Sequence, residues 1–326
     1  MADLVLVTGA TGFIGSKLCR KLIAEGYRVR ALARKTSSLI ALKDLPLEVV
    51  VGDILEPGSL IPAVKGVTGV FHTAAQSAYW RHPELVLRTS VEGTGNIVQA
   101  AVQAGAQFVA ITSSLAALGV PAPGELLTEG HTYNLPQKDF LYGYSKAKSE
   151  IEALRIADGR LRLVILNPTV VLGPGDVNRI SGSMVVEAAR GWGFFWMEGG
   201  VNIVHIDDVV AGHLAAARQG RSGERYILGG ENHTHRHVFS TLTEIAGRKP
   251  PWLKIPPWAM NPTARVIDLL RSLIPLPFNS EQLRMSRHYL YCDTSKAQSE
   301  LGLPSPRPFR QAAQEAHDWY REQGMV

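Results

Sequence analysis

The chain is poor in the features that mark several large classes of protein. Only two cysteines, Cys19 and Cys292, occur among 326 residues. Their separation matches neither a zinc site, a redox pair nor the disulfide framework of a small secreted fold. Cys19 falls inside a helical apolar pattern and reads as a small core residue, so a reducing, cytoplasmic setting is expected. Long apolar runs are missing too. Spanning a bilayer takes roughly 18 or more apolar residues, and Val266 to Phe278 is interrupted by Asp268, Arg271, Pro275 and Pro277. The first strand pattern starts at Asp3 or Leu4, which is expected to leave no room for a signal peptide. Dense basic blocks are also absent. The net charge of +5 is diluted along the chain, which argues against nucleic acid as a partner and suits a small anionic ligand. No internal repeat or low-complexity tract is found.

What is present is the composition of an ordinary globular enzyme, 45% hydrophobic and 19% charged, long enough to bury a full core. Apolar runs at 4–7, 29–33, 48–51, 69–72, 107–112 and 161–166 alternate with helical patterns near 12–25, 57–65, 84–104 and 142–157. Continuous apolar strands separated by helices predict an α/β fold, a doubly wound parallel sheet of the Rossmann type covered on both faces. After Asn167 the pattern changes, with Pro168, Gly173-Pro174-Gly175 and Gly182 leading away from the sheet. Residues 1–167 are therefore expected to form the first domain, with 202–228 returning to it. Residues 168–201 and 229–326 would form a smaller, mostly helical substrate lobe over the carboxyl edge. Asp207 or Asp208 is expected to cap the helix that follows the strand at 201–204.

Gly9-Ala10-Thr11-Gly12-Phe13-Ile14-Gly15 stands between the first strand and the first helix, where a glycine pattern signals a dinucleotide cradle. Gly9 allows the tight turn, Gly12 the approach of a pyrophosphate to backbone, and Gly15 close helix–strand packing. The N–H groups around Thr11, Phe13 and Ile14 then face the phosphates. The second strand ends Ala31-Leu32-Ala33-Arg34-Lys35, with no carboxylate for ribose hydroxyls. Arg34 suits a 2′-phosphate, so NADP(H) is favoured, with NAD(H) as the alternative. Asp53, followed by Ile54, is placed for the adenine amine, or is a simple turn residue.

Tyr142 and Lys146 lie four residues apart on one face of a predicted helix. An ammonium beside a phenol, together with the positive nicotinamide of an oxidised cofactor, would favour phenolate and lower a pKa of ~10. Thr112-Ser113-Ser114 closes an apolar strand upstream, and strand alternation turns only one of the two serines towards a site. A serine hydroxyl opposite the phenol polarises a carbonyl oxygen. Tyr144, two residues from Lys146, is the rival phenol and points to another side.

With these residues the chain resembles an extended short-chain dehydrogenase/reductase. It is most similar to the dihydroflavonol-reductase-like, 3β-hydroxysteroid-dehydrogenase-like and hopanoid-associated sugar-epimerase-like branch. The resemblance rests on Thr8 to Gly15, Phe71 to Ala75, Val91 to Thr94, Thr112 to Ser114, Tyr142 to Lys146, Asn167 to Thr169, Val204 to Asp208 and Glu224 to Asn232. It implies a catalytic Ser114, Tyr142 and Lys146, the serine standing five residues before Gly119. It implies a cofactor wall at Thr73, Ala74 and Ala75, and a carboxamide site at Pro168 and Val171. It also implies a homodimer through the helices near 84–104 and 142–157.

Three departures from the family pattern bear on the reaction. Ser90 replaces the usual asparagine before Val-x-Gly-Thr. Leu115-Ala116 follows the serine where dehydratases carry an acidic pair. Val201 stands where nucleotide-sugar epimerases place an arginine on the diphosphate, which disfavours such a substrate. The aromatic residues Tyr79, Trp80, Trp192, Phe194, Phe195 and Trp196 suit an apolar or aromatic substrate, with Gln76 as a polar pocket residue. Tyr79, Trp192, Trp196 and Gln76 are the substrate candidates. The expected function is hydride transfer between nicotinamide and a carbonyl or secondary alcohol. A nucleotide-sugar epimerase and a non-catalytic NADP sensor are the alternatives.

His233, His235 and His237 invite a metal reading, but no carboxylate pair or cysteine completes a site and none is assigned. Thr234 reads as a helix cap before Val238. The apolar 258–278 segment is read as lid, interface or core.

Overall fold

In a computed structural model of the chain, residues 2–76, 83–256, 258–259 and 280–326 are described. Six strands come first: β1 (Leu4–Thr8), β2 (Arg28–Ala33), β3 (Glu48–Val51), β4 (Gly69–His72), β5 (Phe108–Thr112) and β6 (Arg162–Pro168). The next three, β7 (Val170–Leu172), β8 (Phe195–Met197) and β9 (Gly200–His205), belong to a second lobe. The chain then returns with β10 (Arg225–Leu228) to complete a seven-stranded sheet in the order β3-β2-β1-β4-β5-β6-β10. Every pairing in this sheet is parallel. The doubly wound α/β expectation holds, and the order reverses between β1 and β4, which opens a crevice at the strands' carboxyl ends.

The pleat sorts β1 between two cores. Val5 and Val7 face Leu18 and Leu22 of α1 (Phe13–Ala24) and Val209 and Leu214 of a later helix, Ile206–Gln219. Leu6 faces the opposite layer, with Leu60 of α2 (Pro57–Val64), Ile97 and Val98, and Ala153 and Ile156. Burial on both faces is why the strands read as unbroken apolar runs. The helix expected at 84–104 forms as α3 (Pro83–Leu87), a π-helical turn Arg88–Glu92 and α4 (Gly93–Gln103). Helix α5 is Leu141–Ala157, and α6 in the second lobe is Ser183–Ala189. Helix α1 stops at Ala24, where Gly26 takes φ +85° and the Tyr27 N–H reaches back to Leu22 O at 3.0 Å. This left-handed turn swings the chain into β2.

The second lobe holds two small sheets besides its helices. Strand β9 pairs antiparallel with β11 (Glu231–Thr234) and parallel with β7 and β13 (Tyr289–Leu290), while β8 pairs with β12 (Leu253–Ile255). Strand β9 makes its strand pairings with β7, β11 and β13, and α7 (Ile206–Gln219) follows it and leads to β10 of the large sheet. The cap of α7 differs from expectation. His205 Nδ1, not an aspartate, accepts the Asp207 N–H at 3.0 Å. Asp208 instead accepts the Arg307 N–H at 2.8 Å. Helix α8 (His235–Ile245) is capped by Thr234, as its sequence indicates.

Two neutral histidines tie the first domain together. His72 lies between the hydroxyls of Thr8 (2.7 Å) and Thr94 (3.0 Å), and burial pushes its pKa down to about 3. His213 lies between the Thr112 hydroxyl and the Val209 carbonyl, both at 2.7 Å, and burial lowers it to about 4. The unfolded chain takes up protons on both below about pH 6.5, while the folded one does not until about pH 4 and 3. Their stabilising effect is therefore complete above about pH 6.5 and is lost on acidification, at about 1.4 kcal/mol per pH unit for each. Urea midpoints are expected to drop steeply from about pH 6.5 to pH 4. A flat profile over that window would contradict this account.

Candidate active site

A cavity of about 870 Å³ runs along the carboxyl edge of the sheet and continues under the second lobe. Its first part is built by the β1–α1 turn. Gly9 adopts φ +66°, and a Cβ there would come within 2.6 Å of Ala74 N, so only glycine permits this approach. Gly12 is the N-cap of α1 and no side chain caps the helix. Thr11, Phe13, Ile14 and Gly15 line the cavity around that helix start, where N–H groups lack intrahelical acceptors and the dipole favours an anion. Thr73 ties this loop to β1 by donating to Thr8 O at 2.7 Å, and Thr73, Ala74 and Ala75 form the adjoining wall. Arg34, Asp53 and Ile54 border the same cavity, and Asp53 Oδ1 also accepts the Leu55 N–H at 2.9 Å, so it shapes the turn as well. Pro168 and Val171 line it from the end of β6 and from β7. An uncapped helix start, a glycine turn that lets backbone approach closely and an arginine at the rim fit a pyrophosphate-linked dinucleotide.

The reacting end is set by β5 and α5. Beyond Thr112 the two serines diverge, as strand alternation requires. Ser113 Oγ donates to Glu150 Oε1, while Ser114, extended at φ −162°, turns its hydroxyl to the cavity side. There it accepts the Ala116 N–H at 3.2 Å and shares a hydrogen bond with the Tyr142 phenol. Both serines border the cavity, and Ser114 is the one that meets the Tyr142 phenol. Tyr144 is turned elsewhere, packed edge-on against Tyr133 with the Lys148 ammonium over its ring.

Tyr142, Lys146 and Glu150 repeat every four residues and share one face of α5. Lys146 is 5% exposed and donates to Thr112 O at 3.0 Å. Burial lowers its pKa to about 8 against the opposing influence of the Glu150 carboxylate. Burial is the larger influence and pushes the Tyr142 phenol up, with the Ser114 hydrogen bond acting the other way. Behind the site, Glu150 Oε1 also accepts from Asn167 Nδ2 at 2.8 Å and Glu150 Oε2 from Arg225 Nε at 2.7 Å. Asn167 Nδ2 further holds Ser114 O at 3.0 Å. The Ser90 position is filled by a hydroxyl contact from Ser145 at 3.2 Å, inside the π-helical turn.

Not every substrate candidate reaches the cavity. Gln76 and Trp192 line it, whereas Tyr79, with Trp80, lies outside the described residues. Trp196 does not line it. Along β8, Phe195 and Met197 face the cavity, and period-two alternation sends Trp196 to the other side, beneath Arg236 and Lys254 at 5.3 Å each. Residues 260–278 of the apolar segment lie outside the described residues, and Trp258 before them is exposed. Sequence reasoning missed Glu150, for which the four-residue spacing was a usable signal. It also missed Phe239, Ile255, Leu283 and Met285, which line the cavity from distant segments without any local pattern.

His233 and His237 stack at 4.6 Å on the outside of the lobe, with His233 Nε2 at 3.0 Å from Glu231, while His235 turns inward. Among the described residues no helix is long and apolar enough to cross a membrane.

The profile of a family described as "NAD dependent epimerase/dehydratase family" matches residues 5–229. A Synechocystis sp. protein named "Putative dihydroflavonol 4-reductase" is 36% identical over 100% of this chain and 97% of its own length. "Sterol demethylase protein B" of Methylococcus capsulatus is 35% identical over 98% of this chain and 99% of its own. The crystal structure of gox2253 superimposes with a TM-score of 0.87 at 39% identity, covering 99% of each chain.

Proposed function

Because the chain belongs to the NAD dependent epimerase/dehydratase family, we propose that it is an NADP(H)-dependent reductase of ketones or aldehydes on apolar or aromatic molecules. One observation carries the choice of reaction. Among the described residues lining the cavity, Arg34 and Lys146 are the only permanent or lysine cations, and Val201 occupies the wall of the second lobe. Lys146 is held at the reacting end and Arg34 at the glycine-loop end. Neither is placed in the part walled by Phe195, Met197, Phe239, Ile255 and Leu283. A nucleotide-sugar diphosphate is best met by a cation there, whereas the second lobe offers neutral donors such as Asn178 and Ser181 but no lysine or arginine, and an apolar substrate needs no cation.

When bound, the nicotinamide supplies the hydride. The residues of the chain manage the oxygen. Ser114 donates a hydrogen bond to the substrate carbonyl and Tyr142 Oη passes it a proton as the alcohol forms. Lys146, held by Thr112 O, keeps a positive charge one helical turn from the phenol.

The deciding experiment feeds labelled NADPH with aryl ketones and, separately, nucleotide sugars. Stoichiometric oxidation of NADPH by a ketone is expected. Epimerisation of a nucleotide sugar without net cofactor consumption would defeat the reading. In the same assay Arg34→Ala is expected to weaken NADPH binding about 10- to 100-fold and to leave NADH nearly unchanged, since a charge-assisted phosphate contact is worth about 1.5–3 kcal/mol. Equal losses for both cofactors would remove Arg34 from the 2′-phosphate.

A further inference from the structure

The carboxyl end of β5 is fastened at three consecutive residues. Lys146 Nζ donates to Thr112 O at 3.0 Å, and Ser113 Oγ donates to Glu150 Oε1. Asn167 Nδ2 donates to Ser114 O at 3.0 Å and to Glu150 Oε1 at 2.8 Å. Glu150 thus stands behind the serine that meets the phenol and one helical turn beyond the lysine. An ion pair with Arg225 Nε at 2.7 Å and two further donors suit an ionised carboxylate. Its oxygens are engaged by those donors rather than by the ammonium, so it acts on Lys146 across a gap. Neighbours at this spacing lie about 5–6 Å apart at Cβ. Both side chains are buried, where attraction between opposite charges is strong.

The other groups around Lys146 leave Glu150 as its counter-charge. Tyr142 precedes it on α5 as a neutral phenol. His72 on β4, and His213 of α7 on the Thr112 hydroxyl, are neutral above about pH 4. Glu84, Arg88 and Glu92, on segments packed against α5, are exposed, and α4 carries no titratable residue. Arg225 reaches Glu150 itself from β10. Resting on the reductase reading above, we infer that Glu150 is a positioning residue of the reaction: it keeps the buried Lys146 ammonium charged and holds the Ser114 backbone through Asn167. When Tyr142 gives up its proton, the oxygen left behind turns negative, and an ammonium one turn away stabilises it. Without Glu150 the amine loses its proton at a lower pH, so turnover falls earlier on the alkaline side.

The test reads the amine and the reaction separately. Protein labelled with carbon-13 at lysine Cε is titrated by NMR without cofactor, Lys146 being assigned by the peak lost in Lys146→Met. The wild-type amine is expected to titrate at about 8, and that of Glu150→Gln about one pH unit lower. Glu150→Asp, which keeps the charge, should bring it most of the way back. With NADPH and an aryl ketone, the alkaline limb of kcat/KM should move down by the same interval in Glu150→Gln, a loss approaching about tenfold above the wild-type limb. A purely structural role would lower kcat/KM equally at every pH and move neither titration. Should Glu150→Gln not fold, Glu150→Gln with Arg225→Gln removes both charges of the pair, and its Lys146 should still titrate below the wild type. An unmoved Lys146 peak in the folded variants, or an unmoved alkaline limb with turnover retained, would overturn the inference. Absence of turnover with every ketone, while the peak moves as expected, would defeat the reductase reading and leave the counter-charge standing.

Discussion

Replacing Tyr142 by Phe is expected to lower kcat by about 10²- to 10⁴-fold, the range contributed by a positioned proton donor. The NADPH dissociation constant should change less than twofold. The two halves of that expectation come from different parts of the site. The phenol hydroxyl meets Ser114, whereas the proposed cofactor cradle is made of Gly9, the uncapped start of α1 and the Thr73–Ala75 wall. The ring itself stays, so packing against Phe140 at 6.2 Å is kept. Steady-state kinetics and cofactor fluorescence check both halves. Retention of more than about a tenth of the activity would assign the proton to another group and remove the basis of the mechanism. Ser114→Ala serves as the companion, because it removes the hydroxyl that bonds the phenol and that, in the proposed mechanism, polarises the carbonyl.

The largest stability effect is expected at Glu150. Its side chain is wholly buried and binds Ser113, Asn167 and Arg225 at once. Glu150→Ala strands the Arg225 guanidinium, whose side chain is only 21% exposed, and removes a partner from two further donors. Breaking one side of a buried ion pair typically costs about 3–5 kcal/mol, a large part of the roughly 5–15 kcal/mol that holds a domain together. Glu150→Gln keeps a carbonyl acceptor for Ser113 or Asn167 and should lose less. Urea unfolding with an unchanged m-value is the measurement. A loss below about 1 kcal/mol for Glu150→Ala would mean that the carbonyls of Glu129 and His131, to which Arg225 Nη1 already donates at 3.5 and 3.1 Å, are enough to hold the guanidinium.

The strands and helices of the first domain were legible in the sequence because each carries its signal locally. An apolar run buried on both faces, a glycine turn, and a helix closed by Gly26 need no distant partner to be recognised. The same holds for Tyr142 and Lys146, whose four-residue spacing alone puts them on one face. Boundaries in the second lobe were harder. Whether Gly200–His205 joins the large sheet or the small one depends on pairing with β7, β11 and β13, and nothing within the six residues encodes that choice. Trp196 shows the same limit at one position. Its aromatic neighbours suggested a pocket wall, but the face it takes was set by how β8 pairs with β12.

Sequence alone determined the doubly wound parallel sheet, the glycine turn before α1 and the placing of Tyr142 and Lys146 on one helix face, since these are consequences of chain geometry over a few residues. Tertiary structure alone decided which serine meets the phenol, that burial raises rather than lowers that phenol, and that Glu150 belongs to the site's surroundings. Each of these depends on desolvation or on a partner far away in the chain: 37 residues from Ser113 to Glu150 and 75 from Glu150 to Arg225. Dielectric environment and long-range pairing have no local signature, so only the folded chain reveals them.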